Sequence, residues 1–197
     1  MKDLIIWIIL WFLVWGIFNV KIRWSIEKYK SKKFVWWGLY FAISFIITYF
    51  WFNILAKTYI NQLIMGFIIT NSLGMLLSFD RKYYESFRKD RFFILFMSFN
   101  ILYQQTAILI VMLLLKNLIG NAYSNLIFGL FFIGIHFPLA FLPWSKLKYW
   151  ILGGCFFGGW LFSYLNLNFY YGVVFSFLIH YLFYAWQIHY LKDEEKI

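Results

Sequence analysis

Long apolar runs, separated by short polar segments, occupy most of this sequence. A membrane-spanning helix needs roughly 20 apolar residues, because each residue adds ~1.5 Å of rise and the hydrocarbon layer is about 30 Å thick. Seven runs approach or exceed that length, at 4–20, 34–55, 62–79, 92–115, 125–142, 149–166 and 172–191. The pattern predicts an all-α, polytopic integral membrane protein of about seven transmembrane helices, with residues 1–197 forming a single multi-pass domain.

The composition is that of a membrane protein. Hydrophobic residues make up 63% of the chain and aromatic residues 26%, and the mean hydropathy is +0.71. Soluble domains hold about 45–50% apolar residues. The composition therefore disfavours a soluble enzyme, and the spacing of the runs leaves no room for a separate soluble domain.

The net charge of +10 has two possible explanations. A nucleic-acid partner is one, but all basic residues except Lys2, Lys57 and Lys116 lie in alternate segments between or after the apolar runs. They cluster at 21–33, 81–91, 146–148 and 192–196. Because an excess of Lys and Arg marks cytoplasmic loops, this alternation predicts an external N-terminus, a cytoplasmic C-terminus and no nucleic-acid partner.

Four strongly polar residues interrupt the apolar runs near their middles: Gln104, Gln105, His136 and His180. Counted along the predicted spans, they lie ~12–17 Å from the outer ends of their helices. Polar side chains at such depth are costly, so they usually face the protein interior and often mark function. We expect the four to meet in one intramembrane site.

A purely structural role for these residues remains open, since intramembrane Gln and His often bond a neighbouring helix. A metal or other cofactor is not expected. Imidazole suits zinc, but two histidines without a nearby carboxylate form a poor site, and Cys155 is the only cysteine. A Ser-His-Asp triad is also disfavoured, because every acidic residue lies in a loop or at a terminus.

The order of the polar residues resembles the motifs of the CPBP family, the CAAX-protease and bacteriocin-processing membrane proteins. Members carry Glu-Glu-x-x-x-Arg on one helix, Phe-x-x-x-His on the next and His-x-x-x-Asn on the last. Here the first motif corresponds to 104–109, with both glutamates replaced by glutamine and the arginine by Leu109. The second, Phe132 to His136, matches fully, and the third keeps His180 but has Tyr184 in place of asparagine. The CPBP-like core would span about 92–191.

The resemblance implies a site built from these motifs but disfavours proteolysis. In proteolytic members a glutamate is taken to activate water, and an amide cannot accept a proton in that way. Gln104 and Gln105 can still hold a carbonyl group by hydrogen bonds, and either histidine could act as the base. We expect Phe132 and Tyr184, which belong to the same motifs, to contact the substrate.

Among non-proteolytic relatives, the chain is most similar to the B component of the bacterial lipoprotein N-acylation system. This resemblance implies a multi-pass protein of the bacterial cell membrane. It would help to transfer an acyl chain to the α-amino group of a lipoprotein's N-terminal lipidated cysteine. The implied partners are membrane lipids, the lipoprotein substrate and a second protein component. The alternative is that the chemistry resides in that second component.

Three other functions stay open. The chain could be a non-enzymatic scaffold or immunity protein that binds another membrane protein, with a structural polar cluster. It could be an intramembrane protease with an atypical active site, although Glu85 lies too far along the chain, in a cytoplasmic loop, to replace the missing glutamates. A transporter is disfavoured because no carboxylate or arginine interrupts the apolar runs.

Overall fold

The chain forms seven helices in the computed structural model, which describes residues 2–11, 13, 33–79, 91–137 and 147–194. No strand occurs within these ranges, so the all-α prediction is confirmed. The helices are α1 (Lys2–Trp11), α2 (Lys33–Phe52), α3 (Lys57–Phe79), α4 (Arg91–Ile119), α5 (Asn121–His136), α6 (Leu147–Asn168) and α7 (Gly172–Glu194).

Each helix coincides with one predicted apolar run, but several boundaries differ. The α4 helix continues to Ile119, past Lys116 and Asn117, because hydrogen bonding in a helix does not stop where hydropathy falls. The α5 helix begins earlier than expected and ends at His136, two residues before Pro138, which lies outside the described residues. The latter half of the first run and the basic clusters at 21–32, 81–90 and 146 also lie outside them.

The α4 helix is the centre of the bundle and contacts each of the other six helices. Every side chain from Asn100 to Met112 is buried. A helix buried on all sides has no amphipathic stripe to present. The polar groups of α4 must therefore find their partners inside the protein.

Three short connectors lie at one end of the bundle: 53–56 between α2 and α3, Gly120 between α4 and α5, and 169–171 between α6 and α7. Gly120 has a φ of 76° and a ψ of 171°, a backbone conformation that essentially only glycine adopts. The Gln62 side chain near the start of α3 donates to the Tyr170 carbonyl oxygen at 2.6 Å. Ser163, near the end of α6, donates to Asn125 Oδ1, near the start of α5, at 2.7 Å. These two bonds hold the three connectors at the same end.

Close helix approach occurs where glycine faces an aromatic side chain. A Cβ atom at Gly159 of α6 would lie 2.6 Å from Cβ of Phe132 and 3.2 Å from Cα of Gly129, both on α5. A Cβ atom at Gly66 of α3 would lie 2.9 Å from Cγ of Phe177 on α7. Small residues at such crossings are typical of helix packing in membranes.

Two helical segments within the described ranges are long and apolar enough to cross a membrane. In Lys57–Leu76 of α3, 28% of the most apolar stretch is buried, and in Ser98–Ile119 of α4 the buried share is 83%. Tyr123–His136 and Gly172–Ala185 are apolar but shorter. The surface of the bundle exposes many large apolar side chains, for example Ile5, Leu76 and Leu182. Patches of this kind mark contact with a membrane or another protein.

Candidate functional site

The two glutamines of α4 turn towards α7, where each meets a residue of the third sequence motif. Gln104 Nε2 donates to the hydroxyl of Tyr184 at 3.0 Å. Gln105 Nε2 lies 3.1 Å from Nδ1 of His180. Both glutamines and His180 are buried. Gln105 thus contacts His180 directly, whereas Gln104 contacts Tyr184, one helical turn farther along α7. A shared functional site for these residues stays a prediction.

Gln105 also makes two bonds to Ser176, which lies one helical turn before His180. Its Nε2 donates to the Ser176 carbonyl oxygen at 3.3 Å, and its Oε1 accepts from Ser176 Oγ at 3.1 Å. Ser176 Oγ in turn lies 2.9 Å from Oδ1 of Asn166 on α6. A buried polar chain therefore joins α4, α7 and α6.

His136 reaches the same region from the end of α5. Its Nδ1 lies 2.7 Å from the Phe132 carbonyl oxygen, and its ring contacts the Phe132 ring with centroids 4.5 Å apart. Phe132 packs against Phe162 at 6.1 Å, and Phe162 against His180 at 5.1 Å. The rings of Phe132 and Phe162 thus connect the two imidazoles.

Helical periodicity explains how the site is assembled. Ser176, His180 and Tyr184 are four residues apart, so they lie one above another on one face of α7. Phe132 and His136 have the same spacing on α5. Phe132 is held by Gly159 of α6, which lacks the side chain that would displace it. The adjacent Gln104 and Gln105 point about 100° apart around α4, which lets each bond a different residue of α7.

The two predicted substrate contacts differ in exposure. Phe132 is buried among aromatic rings, including that of Trp11 of α1 at 6.1 Å. Tyr184 is half-buried, and its ring lies 5.2 Å from that of His180. Phe132 therefore acts first as a packing residue, whereas Tyr184 offers a hydroxyl group at the edge of the site. A substrate role for either residue stays a prediction.

The described part of the site contains amides, hydroxyls and imidazoles, with no carboxylate, ammonium or guanidinium group among the contacts above. Within the described ranges, no group of three His, Cys, Asp or Glu residues is placed to hold a metal ion. Cys155 is buried in α6 as a free thiol. Such a set of groups can donate and accept hydrogen bonds, and its histidines can act as bases.

Sequence reasoning did not identify Ser176 and Asn166 as site residues. The spacing of Ser176, one turn before His180, was a usable signal, because it puts both on one face of α7. Asn166 offered none, since nothing in its own helix shows which neighbour it faces. Its Nδ2 atom is buried without a hydrogen-bond partner.

Compared with known protein families, curated proteins and solved structures, the chain matches none of them. The resemblance to the CPBP family therefore rests on the three sequence motifs and stays a prediction. Gln104 and Tyr184, two of the positions where the chain departs from the family motifs, form a hydrogen bond to each other.

Proposed function

We propose that the chain is a multi-pass protein of the bacterial cell membrane, with seven transmembrane helices, an external N-terminus and a cytoplasmic C-terminus. The agreement between helices and apolar runs supports this, as do the apolar side chains on the surface. The distribution of basic residues supports the orientation. On this orientation the end with the three short connectors faces outward.

Of two reporters fused after Ile197, the one that is active in the cytoplasm should give a signal and the one that is active outside should not. A matched fusion to a chain truncated after Gly120 should report the opposite side, because Gly120 lies at the other end of the bundle. A GFP and alkaline phosphatase pair measures both positions. An external signal from the Ile197 fusion would rule out this topology.

We further propose that the chain takes part in lipoprotein N-acylation as a non-proteolytic, CPBP-like protein. The observation that carries the proposal is the cluster of buried Gln104, Gln105 and His180 with half-buried Tyr184, to which His136 is linked through aromatic rings. It holds the residues of all three motifs together, and glutamine occupies the positions where a protease would need glutamate. Acyl transfer to an amine needs a proton acceptor and hydrogen-bond donors to a carbonyl group, and this cluster supplies both kinds of group.

The proposed partners follow from this reaction. Membrane lipid supplies the acyl group as an ester, and the lipoprotein supplies the α-amino group of its N-terminal cysteine. A second protein component completes the system. The apolar surface of the bundle suits substrates that carry acyl chains, because such chains remain in the hydrocarbon layer as they approach.

The mass of a lipoprotein's N-terminal peptide tests the proposal. Deleting the gene should lower that mass by one acyl chain, and the wild-type gene should restore it. His136→Ala and His180→Ala should fail to restore it at normal protein levels. Gly153→Ala is the matched control, because a Cβ atom there meets no atom within 4 Å. Full N-acylation in both histidine variants would exclude a catalytic role for the site.

One observation favours a different function, that of a non-enzymatic scaffold or immunity protein. Both glutamines and His180 already have hydrogen-bond partners within the bundle, as purely structural polar residues would. This function predicts co-purification with one stoichiometric membrane partner. It also predicts an unchanged lipoprotein mass after gene deletion, which distinguishes it from the acylation proposal.

A further inference from the structure

The position of the proton on His136 follows from its bond to the backbone. Its Nδ1 lies 2.7 Å from the carbonyl oxygen of Phe132. A carbonyl oxygen can only accept a hydrogen bond, so Nδ1 carries the proton. A neutral imidazole has one N–H, and Nε2 of His136 therefore holds the lone pair.

The orientation of Gln105 determines the proton position on His180. The nitrogen of the amide must face the Ser176 carbonyl at 3.3 Å, because the reverse orientation would place two acceptor oxygens against each other. Its second N–H then points to Nδ1 of His180, 3.1 Å away. That ring nitrogen must accept, so His180 carries its proton on Nε2.

Ser176 and Asn166 support this orientation of Gln105. The single proton of Ser176 Oγ has three acceptors within reach, of which Oε1 of Gln105 lies at 3.1 Å. Asn166 Nδ2 is buried without a partner. If the Asn166 amide is turned over, its nitrogen donates to Ser176 Oγ and the missing bond is made. The donors then run in one direction, from Asn166 through Ser176 and Gln105 to His180.

We propose that the site holds its two histidines in opposite tautomers, with His136 as the proton acceptor and His180 as the hydrogen-bond donor. Gln105, Ser176 and Asn166 act as positioning residues that maintain the His180 tautomer. The assignment deepens the proposed acyl transfer, and its catalytic meaning rests on that function. The rings of Phe132 and Phe162 connect the two imidazoles. One acceptor and one donor suit a substrate pair in which an amine loses a proton while a carbonyl oxygen gains charge.

The reaction step follows from these tautomers. A neutral α-amino group attacks the carbonyl carbon of a lipid ester and forms the C–N bond, while Nε2 of His136 takes one amine proton. The Nε2–H of His180 donates to the resulting oxyanion. When the intermediate collapses, the C–O bond of the ester breaks and the leaving alkoxide receives the proton from His136. The products are an amide and a lipid alcohol.

Nitrogen NMR on the full-length protein in lipid nanodiscs, with ¹⁵N-labelled histidine, tests the tautomers directly. Protonated and unprotonated ring nitrogens resonate far apart, and His189→Gln leaves only the two relevant residues. In the wild-type site we expect one Nδ1–H histidine and one Nε2–H histidine, which single His→Gln variants assign to His136 and His180. Two histidines of the same tautomer would overturn the proposal.

Variants of the two glutamines form a matched pair. Gln105→Leu removes the donor to His180 and should give a mixture of its tautomers, whereas Gln105→Glu should move its proton to Nδ1, because a carboxylate only accepts. Gln104→Leu, one residue away, removes only the bond to Tyr184 and should leave both histidines unchanged. An unchanged His180 signal in Gln105→Glu, or an equal change in Gln104→Leu, would contradict the role of Gln105.

The roles of the histidines can be separated in the lipoprotein assay. A glutamine side chain can replace a hydrogen-bond donor but not a base. His136→Gln should therefore lower the rate of N-acylation by ~10²–10⁴-fold, the typical value of a general base, and His180→Gln should lower it less. The reverse order would overturn the assignment. Because the NMR measurement needs no acyl donor, its result is independent of whether the acyl-transfer proposal itself holds.

Discussion

The α3 and α4 helices are both apolar enough to span a membrane, yet they occupy opposite environments. The spanning segment of α4 is 83% buried, whereas that of α3 is only 28% buried. Both helices carry amide side chains. Gln104 and Gln105 of α4 bond side chains of α7 inside the bundle. Asn71 of α3 donates to the carbonyl of Phe67 in its own helix and accepts from Ser98 of α4. Hydropathy therefore identifies helices that suit a membrane but does not show which of them encloses the site.

The buried part of α3 is a narrow stripe. Gln62, Gly66 and Thr70 are buried at intervals of four residues, with Leu63 buried beside them, and the other faces expose Ile64 and Ile68. One stripe of small and polar residues suits a helix that packs on one side and meets lipid on the other. The α4 helix is surrounded by other helices from Asn100 to Met112, so it can bury polar groups on every face.

The largest expected effect comes from matched isoleucines on the two helices. Ile108 of α4 is 0% exposed and Ile68 of α3 is 57% exposed. Ile108→Ala leaves a cavity and should lower the free energy of unfolding by ~2–5 kcal/mol. Ile68→Ala should change it by no more than about 0.5 kcal/mol. Unfolding in mixed detergent micelles measures both, and equal losses would contradict the comparison.

A smaller effect is expected at the packed face of α3. Gly66→Ala places a Cβ atom against Phe177 and should cost ~1–3 kcal/mol, because that ring must move. Gly38→Ala in α2 is the control, since its Cβ meets no atom within 4 Å. That change should be neutral or stabilise by up to ~1 kcal/mol through helix propensity. If both variants gain stability, the contact between α3 and α7 is looser than described.

The smallest effect concerns the polar end of the α3 stripe. Gln62→Leu removes the hydrogen bond to the Tyr170 carbonyl, which is worth about 0.5–1.5 kcal/mol. It also removes the buried Oε1 atom, which has no hydrogen-bond partner, and this offsets part of the loss. Ser72→Ala, on an exposed face, should have no measurable effect in the same unfolding experiment. A loss larger than that of Gly66→Ala would reverse the order proposed for this face.

The helices could be predicted from the sequence, but several of their ends could not. Apolar runs located all seven, because their length and hydropathy depend only on the chain itself. The extension of α4 to Ile119 was missed, since a polar residue such as Lys116 can occupy a helix where the bundle ends. The early end of α5 was also missed, although Pro138 was a signal that the helix could not continue far.

The site was predictable in depth but not in detail. Counting residues placed Gln105 and His180 near each other, because helical rise converts sequence position into height. It could not give the rotation of each helix about its axis. That rotation separates Gln104, which bonds Tyr184, from Gln105, which bonds His180. It also brings Asn166 to Ser176, a contact between two helices that no spacing within either one predicts.

The three short connectors have a consequence for how the protein meets its surroundings. They contain four residues, one residue and three residues, and Gln62 ties the last of them to the bundle. Cleavage by a protease requires a stretch of chain that can be drawn into an extended form. On the proposed orientation, a protease added to intact cells finds almost no segment of these connectors that it can cleave, and an antibody finds almost no epitope on them. A substrate that reaches the site from outside must therefore be recognised within the membrane itself.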